Sequence, residues 1–228
     1  MKEIQIRKND AGQRLDRFVG KAVPLLPESL LQKYIRLKRI KRNGKGAKRD
    51  VRLVEGDVLQ LYINDEFFER PTEQNAWLKI TTPRLDIVYE DENILLADKK
   101  PGVLCHSAGE WSWDTLISNI QAYLRQSGEW DPKAENAFTP ALCNRIDRNT
   151  GGIVIAAKNA EALRILNDKI RDREIDKAYL CVVCGRPKPA EGRLEGYLFK
   201  DAVKNQVYVT KKPQPGAKSA ATEYRTLQ

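Results

Sequence analysis

The stretch LCNRIDRNTGG, residues 142–152, places a cluster of polar and charged side chains directly before the apolar run IVIAA at 153–157. Branched apolar residues in such a run are typical of a buried strand. Thr150-Gly151-Gly152 permits a tight bend ahead of that strand, because glycine tolerates backbone angles that other residues avoid. The sequence therefore predicts a polar loop that leads into a buried strand.

Asp147 lies between Arg145 and Arg148 in this loop. A carboxylate beside two guanidinium groups is expected to stay ionised, which suits a nucleophile or general base better than a general acid. The same three residues suit an ordinary structural ion pair equally well. From the residues alone, the ion pair is the favoured interpretation.

Alternating apolar segments on both sides of the loop predict further strands. They are LDIVYED, NILLADKK, GGIVIAAK, KAYLCVVCG, RLEGYLF and NQVYVT. Two helices are expected between them, with Asp114 and Asn159 as N-caps. This pattern predicts an α+β fold, in which residues 85–228 form a mixed or antiparallel sheet with flanking helices.

The positive charge is concentrated near the N-terminus. The chain has 40 Lys and Arg against 31 Asp and Glu, a net charge of +9. Residues 33–52 alone hold ten basic residues and one acid, Asp50. Apolar residues are interleaved with them, which favours a folded element with a basic outer face over a disordered tail. A surplus of this kind indicates a polyanionic partner.

Residues 1–63 are predicted to form a small α/β domain around this basic block. Helical spacing of apolar residues predicts one helix in RLDRFVGKAV and a second one capped by Ser29. Asn43-Gly44 is a turn signal, and VLQLYI alternates as a strand does. Residues 64–84 are predicted to be a linker whose Phe67, Phe68 and Trp77 dock onto neighbouring structure.

The chain has one histidine, His106, and four cysteines. A single histidine excludes a multi-histidine metal site, and Cys181-x-x-Cys184 lies in a predicted strand, where positions three apart face opposite sides. Buried, reduced thiols are therefore expected, with no metal, and a cytoplasmic location follows from free cysteines. Lys99 and Lys100 are expected to be exposed charges. No run approaches the length of a membrane span, and the N-terminus lacks an apolar signal core.

Residues 14–63 resemble the small S-four-type RNA-binding domain. The matching residues are Arg14-Leu15-Asp16, Ser29, Gln32, Ile35-Arg36, Arg39-Ile40, Asn43-Gly44-Lys45 and Glu55-Gly56-Asp57. The predicted RNA-binding set, which contacts phosphates and so fixes position rather than sequence, is Arg36, Lys38, Arg39, Lys41, Asn43 and Lys45. The alternative is a basic face that only confers solubility.

The loop around Asp147 resembles the H-R-L-D-x-x-T-S-G signature of the RluA-type pseudouridine synthases, with Asn144 where histidine is usual. KKPGVLCHSAG at 99–109 is similar to that family's lysine-proline-glycine stretch, and 177–185 is similar to its K-x-Y-L-x-x-V-x-G strand. The resemblance implies that Asp147 is the catalytic aspartate. It also implies that Arg145 holds or replaces a flipped uridine and that Tyr179 stacks on the target base. His106 is expected to be structural or a weak RNA contact.

The resemblance implies isomerisation of uridine to pseudouridine in structured RNA without a cofactor. Large-subunit ribosomal RNA is the expected substrate, and tRNA is an alternative. A later family motif with glycine-arginine and histidine-glutamine has no match up to Gln228, so the catalytic domain is expected to be incomplete at its C-terminus. Two other functions stay open. One is a non-catalytic RNA-binding protein with a degenerate or truncated synthase domain, and the other is a basic subunit that binds ribosomes through protein contacts.

Overall fold

The computed structural model describes residues 1–68, 76–107, 112–201, 204 and 206–227 of the chain. They form two compact units, Met1–Ile175 and Asp176–Gln228. Every strand pair within the described ranges is antiparallel. The helices and two four-stranded sheets belong to the first unit, and a three-stranded sheet belongs to the second. The predicted α+β class is confirmed.

The N-terminal part of the first unit is a four-stranded sheet with two helices. Its strands are β1 (Lys2–Gln5), β2 (Ile40–Arg42), β3 (Lys45–Gly46) and β4 (Val58–Leu61), in the order β1-β4-β2-β3. The helices are α1 (Leu15–Ala22) and α2 (Glu28–Arg36). Their buried side chains are at helical spacing, as predicted, and pack with Ile40, Leu59 and Leu61 into one hydrophobic core.

Helix α2 begins two residues earlier than expected, at Glu28. Pro27 is the N-cap residue and makes no side-chain cap hydrogen bond, so Ser29 lies inside the first turn. The prediction that Ser29 caps this helix is therefore wrong. Pro27 suits the N-cap position, because its φ of −58° lies in the range that the proline ring fixes.

The second sheet of the first unit has its own core. Its strands are β5 (Ile87–Glu90), β6 (Ile94–Lys99), β7 (Ala141–Leu142) and β8 (Gly152–Ala157), in the order β5-β6-β8-β7. Helices α3 (Leu116–Gln126) and α4 (Ala160–Arg171) accompany it. Alternate residues of β6 and β8 meet Ile120 and Leu124 of α3 in a buried cluster, which confirms GGIVIAAK as a buried strand.

Of the two N-caps predicted for the helices beside this sheet, one is confirmed and the other is wrong. Asn159 caps α4, because its side chain accepts from the Ala162 N–H at 2.8 Å. Helix α3 is capped by Thr115, one residue after the predicted Asp114. The Asp114 carboxylate instead accepts from Asn119 Nδ2 at 2.7 Å, so it is used for a side-chain contact and not for the cap.

Residues 64–84 contain two short 3-10 helices, Asp65–Phe68 and Ala76–Lys79, while 69–75 lie outside the described residues. Phe67 and Phe68 pack against the N-terminal core. Trp77 meets Trp130 edge-on, with the ring centroids 5.5 Å apart. The predicted docking of these aromatic residues is confirmed, whereas the domain boundaries at 63 and 84 stay a prediction.

The second unit is a sheet of three strands, β9 (Glu191–Asp201), β10 (Gln206–Thr210) and β11 (Lys218–Arg225), in the order β10-β9-β11. The strands expected in RLEGYLF and NQVYVT are confirmed. Within the described ranges, no helix is both long enough and apolar enough to cross a bilayer.

The predicted strand KAYLCVVCG, residues 177–185, is absent from the second unit. These residues have no regular secondary structure, Val182 is fully exposed, and Cys181 and Cys184 are exposed. The predictions of a buried strand and of buried thiols at these two positions are therefore wrong. An apolar run becomes a strand only when a neighbour pairs with its backbone, and no strand of the described residues pairs with this one.

Candidate functional site

Asp147 lies on the loop 143–151, between β7 and β8, and its side chain is exposed. The loop turns tightly here, because the Thr150 N–H donates to the Asp147 carbonyl at 3.1 Å. Among the ion pairs of the described residues, none involves the Asp147 carboxylate. The structural ion pair that the residues alone favoured does not form, and the carboxylate is open to solvent.

The two flanking arginines have different surroundings. Arg148 and Gly102 form a reciprocal pair, in which Arg148 Nε donates to the Gly102 carbonyl at 3.1 Å and Gly102 N donates to the Arg148 carbonyl at 2.8 Å. Arg145 is exposed. Partial burial, together with the positive charge of Arg145, lowers the pKa of His106. The lone histidine is therefore within electrostatic reach of the predicted substrate-binding arginine.

Lys99 is a buried lysine whose hydrogen bonds hold the Asp147 loop in place. Its side chain is only 1% exposed, and Nζ donates to the carbonyls of Lys100 at 3.1 Å, Val103 at 2.9 Å and Arg148 at 3.1 Å. The expectation that Lys99 is an exposed charge is wrong, because three converging carbonyls replace its water shell. The ammonium ties the residue after Asp147 to the end of β6.

Lys100, in contrast, is exposed as expected. Its ammonium pairs with Asp86 at 2.8 Å and with Asp98 at 2.7 Å. Hydrogen bonds to these two carboxylates raise the pKa of Lys100. The two consecutive lysines therefore have opposite environments.

Two more contacts fix the loop against the segment 99–105. A Cβ added to Gly151 would lie 3.2 Å from Pro101 Cδ, so glycine is needed for this close approach. Cys105 is buried, and its thiol donates to the Ile146 carbonyl at 3.4 Å. Two of the three sequence motifs that carry the family resemblance, 99–109 and 144–152, therefore pack against each other within their described residues.

Asn144 and Cys143 attach the start of the loop to β8. The Asn144 Oδ1 accepts from the Ile155 N–H at 2.8 Å, and the Cys143 N–H donates to the Ile155 carbonyl at 2.8 Å. Burial raises the pKa of the Cys143 thiol to about 11. Asn144, where the family usually has histidine, thus acts through its amide as a tie to the neighbouring strand.

Tyr179 lies in the second compact unit, whereas Asp147 and Arg145 lie in the first. The Tyr179 side chain is 61% exposed and belongs to the irregular segment 177–185. Asp147, Arg145 and the segment 99–105 are thus brought together inside one unit. The stacking role of Tyr179 stays a prediction.

Most of the predicted RNA-binding set lies on the surface of the N-terminal sheet and helix α2. Arg36, Lys38, Arg39, Asn43 and Lys45 are exposed, and Lys41 is half-buried. Aromatic rings hold two of the cations in place. Arg39 Cζ lies 4.7 Å from the centre of the Tyr34 ring, and Lys41 Nζ lies 5.1 Å from that of Tyr62. These fixed cations, with the rest of the set, form what we call the basic face.

Asn43 has a supporting position within the basic face. Its Nδ2 donates to Asp57 Oδ1 at 2.8 Å, and its Oδ1 accepts from the Val58 N–H at 2.8 Å. Asp57 is buried and also pairs with Arg42 Nε at 2.6 Å. Burial opposes ionisation, but hydrogen bonds from Val54 N–H, Arg42 and Asn43 outweigh it and lower the pKa of Asp57.

Sequence reasoning missed Lys99 and Asp57 as organising residues. Asp57 stands in the turn Glu55-Gly56-Asp57, which supports the S-four-type resemblance but does not by itself indicate a buried, hydrogen-bonded carboxylate. Lys99 stands in the lysine-proline-glycine stretch, but no local pattern shows its burial, because its three acceptors are backbone carbonyls from two separate segments.

A family model described as RNA pseudouridylate synthase matches residues 93–228. An uncharacterised RNA pseudouridine synthase of Mycoplasma genitalium is 32% identical, over 95% of this chain and 66% of the relative. A protein named ribosomal large subunit pseudouridine synthase C is 30% identical in Rickettsia bellii, over 82% of this chain and 60% of the relative. The protein of the same name in Vibrio vulnificus is 27% identical, over 99% and 67%.

The chain spans about two thirds, or less, of the length of these relatives. The family model nevertheless matches more than half of the chain, and the matched range includes all three motifs of the resemblance, 99–109, 144–152 and 177–185. Its fold is the pseudouridine synthase fold predicted from those motifs. The chain therefore belongs to the RNA pseudouridylate synthase family, in its RluA-type branch.

Proposed function

We propose that this protein isomerises uridine to pseudouridine in structured RNA, with large-subunit ribosomal RNA as the substrate. The observation that carries the proposal is the exposed Asp147 carboxylate, which forms no ion pair among the described residues and sits on a loop tied to Lys99 and Gly102. Two relatives carry the name ribosomal large subunit pseudouridine synthase C, which supports the choice of RNA.

Asp147 acts through its carboxylate in this proposal. Pseudouridine formation breaks the bond from ribose to uracil nitrogen and reattaches the ring through carbon, with no redox change and no net group transfer. The carboxylate attacks the ribose or the uracil ring, or it abstracts a ribose proton. Each route requires an ionised oxygen that substrate can reach, and covalent carboxylate catalysis is established chemistry. The solvent-open position of Asp147 meets this requirement.

The target uridine leaves its helix to reach Asp147, at a cost of about a few kcal/mol. Phosphate contacts by the basic face offset this cost, because they release counterions from the RNA. Arg145 holds or replaces the extruded nucleotide, and Tyr179 stacks on its base. The four free cysteines support the cytoplasm as the place of the reaction.

The decisive test is Asp147→Asn in an assay of tritium release from RNA that carries uridine labelled at carbon five. Asparagine keeps the shape of the side chain and removes the nucleophile or base, so we expect isomerisation to fall by at least about a thousandfold, with RNA affinity unchanged. Asp131→Asn is the matched control, because Asp131 is exposed and accepts from the Lys133 N–H, as asparagine also can. Equal activity of Asp147→Asn and the parent chain would refute the role of Asp147.

A second experiment separates this function from its alternatives. Reversing the charges of Lys38, Arg39 and Lys41 to Glu should abolish most salt-dependent RNA binding. If ribosome association survives this change, protein contacts and not the basic face bind the ribosome. If the parent chain binds RNA but yields no pseudouridine, the non-catalytic RNA-binding hypothesis replaces the isomerase.

A further inference from the structure

The turn 11–13, between β1 and α1, contacts helix α4 through Arg164. Gly12 has a φ of +78° and donates its N–H to the Leu53 carbonyl at 2.8 Å. A Cβ at Gly12 would lie 3.5 Å from the Arg164 guanidinium carbon. Glycine thus gives the turn a conformation that other residues rarely adopt, and it leaves the guanidinium of α4 in contact with the turn.

Three cationic side chains from three different elements converge on this turn, which we call the junction cluster. Lys21 Nζ donates to Gln13 Oε1 at 3.0 Å, Arg52 Nη1 donates to the Gly12 carbonyl at 2.7 Å, and Arg164 Nη1 donates to the Ala11 carbonyl at 2.9 Å. Neutral oxygen atoms hold all three cations. No carboxylate in these three contacts offsets the positive charge of the cluster.

The nearby carboxylates do not neutralise the junction cluster. In the described part of the chain, Lys21, Arg52 and Arg164 form no ion pair, whereas neighbouring Arg14 is paired with Asp16 at 2.6 Å. Arg17 lies one helical turn before Lys21 on α1 and adds a further positive charge. Partial loss of hydration, followed by the charges of Arg164 and Arg17, lowers the pKa of Lys21.

The position of Arg164 beside the turn is fixed by polar contacts around it. Asn136 Nδ2 donates to Asp10 Oδ2 at 2.7 Å, and Asp10 is completely buried. Asn9 Oδ1 accepts from the Ala160 N–H at the start of α4 at 3.3 Å. The Asn9 contact joins the segment after β1 to the start of α4, and the Asn136 contact joins the same segment to the loop before β7. The fold therefore holds the like charges of the junction cluster close together.

We propose that the junction cluster binds a phosphate of the RNA backbone. A guanidinium has five N–H donors, and Arg52 and Arg164 each direct only one of their Nη1 donors to the turn in the contacts above. The remaining donors suit the oxygens of a phosphodiester, which Arg recognises through paired hydrogen bonds. The inference rests on the proposed function for the identity of the polyanion. It adds a contact from α4 that lies outside the basic face.

The test is the salt dependence of RNA binding by the full chain, measured by fluorescence anisotropy with a labelled stem-loop RNA that has uridines in its loop. Every chain in this series also carries Asp147→Asn, so that no turnover occurs during the titration. Each neutralised phosphate contributes about 0.7–0.9 to the slope of log affinity against log salt. Arg164→Gln should therefore bind more weakly at low salt. Between 50 and 200 mM salt it should lose about threefold less affinity than its parent.

Arg171→Gln is the matched control on the same helix. Arg171 is already paired with Asp168 at 2.6 Å and with Asp172 at 2.8 Å, so its replacement should leave the slope unchanged. Lys21→Gln is the second variant, because its exposed side chain can change without disturbing the contact between α4 and the turn. It should lower the slope as Arg164→Gln does. If Arg164→Gln and Lys21→Gln both kept the salt slope of their parent, the inference would be wrong. It would also be wrong if Arg171→Gln lowered the slope as much as they do.

The outcome is independent of whether the chain is an isomerase. A reduced slope for Arg164→Gln and Lys21→Gln, together with no pseudouridine from the chain that retains Asp147, would keep the phosphate site and remove the proposed function. Isomerisation by the chain that retains Asp147, together with unchanged slopes, would do the reverse.

Discussion

The loop 143–151 and the segment 176–185 both lack regular secondary structure, and each carries a predicted site residue, yet they are held very differently. Lys99 and Gly102 bind the Arg148 carbonyl, and Asn144 binds β8. Residues 176–185, in the described part of the chain, exchange no backbone hydrogen bond with another segment. Buried partners beneath an irregular segment, and not its own regularity, therefore decide whether its side chains are fixed.

The largest expected effect is in amide hydrogen exchange. Amides of β8 and the Cys143 N–H should exchange slowly, because they are bonded within a buried sheet. Amides of 176–185 should exchange about a thousandfold faster, since no opening step limits them. Exchange measured by mass spectrometry after peptic digestion would show the difference, and equal protection of the two segments would contradict the comparison.

The exposed thiols of the segment 176–185 should react about tenfold or more faster than the Cys143 thiol of the loop 143–151. Cys181 and Cys184 are exposed, whereas Cys143 is half-buried with its pKa raised to about 11. A raised thiol pKa leaves little thiolate near neutral pH, so labelling of Cys143 should accelerate as pH rises towards 11. Iodoacetamide labelling followed by peptide mapping measures both rates. Faster labelling of Cys143 than of Cys181 at pH 7 would contradict this assignment.

Replacing the buried Lys99 should destabilise the loop 143–151. Lys99→Met removes an ammonium that binds three carbonyls, and we expect the free energy of unfolding to fall by about 2–4 kcal/mol. Urea denaturation measures this change. The matched control is Lys100→Met, whose exposed ammonium pairs with exposed carboxylates, so its effect should be much smaller. Equal losses in the two variants would mean that Lys99 gives the loop no special support.

The smallest effect is expected at Gly151. Gly151→Ala places a methyl group 3.2 Å from Pro101 Cδ, and such crowding should lower the free energy of unfolding by about 1–2 kcal/mol. Gly20→Ala in α1 is the control, because its Cβ would lie 4.0 Å from Leu31 and alanine favours a helix over glycine by about 1 kcal/mol. The two variants should therefore shift the denaturation midpoint in opposite directions.

Local patterns predicted most of the fold. The apolar spacing in α1 and the alternation in β4 and β8 each reflect a single face that packs on a core, so they are visible in one stretch of sequence. The segment 177–185 has an equally apolar pattern but lacks a pairing neighbour among the described residues. Its structure depends on another part of the chain, which no local pattern contains.

The candidate site, too, could be predicted from the sequence only in part. Asp147 and Arg145 were identified by resemblance to a family motif, and the structure gives them an exposed, shared loop. The support of that loop could not be predicted, because Lys99 reaches the carbonyl of Arg148, 49 positions along the chain. A lysine is ordinarily assigned to the surface, and only the fold shows what replaces its water.

The contacts of Asn136 and Asp10 have a consequence for how the first unit melts. Asn136 Nδ2 also donates to the Gln5 carbonyl at 2.9 Å, so it holds two groups of the N-terminal sheet at once. If that sheet came apart alone, the Asn136 amide and the Ala160 N–H would lose their protein partners together. Residues 1–175 should consequently give a single calorimetric peak, because both sheets of this unit unfold in one cooperative transition.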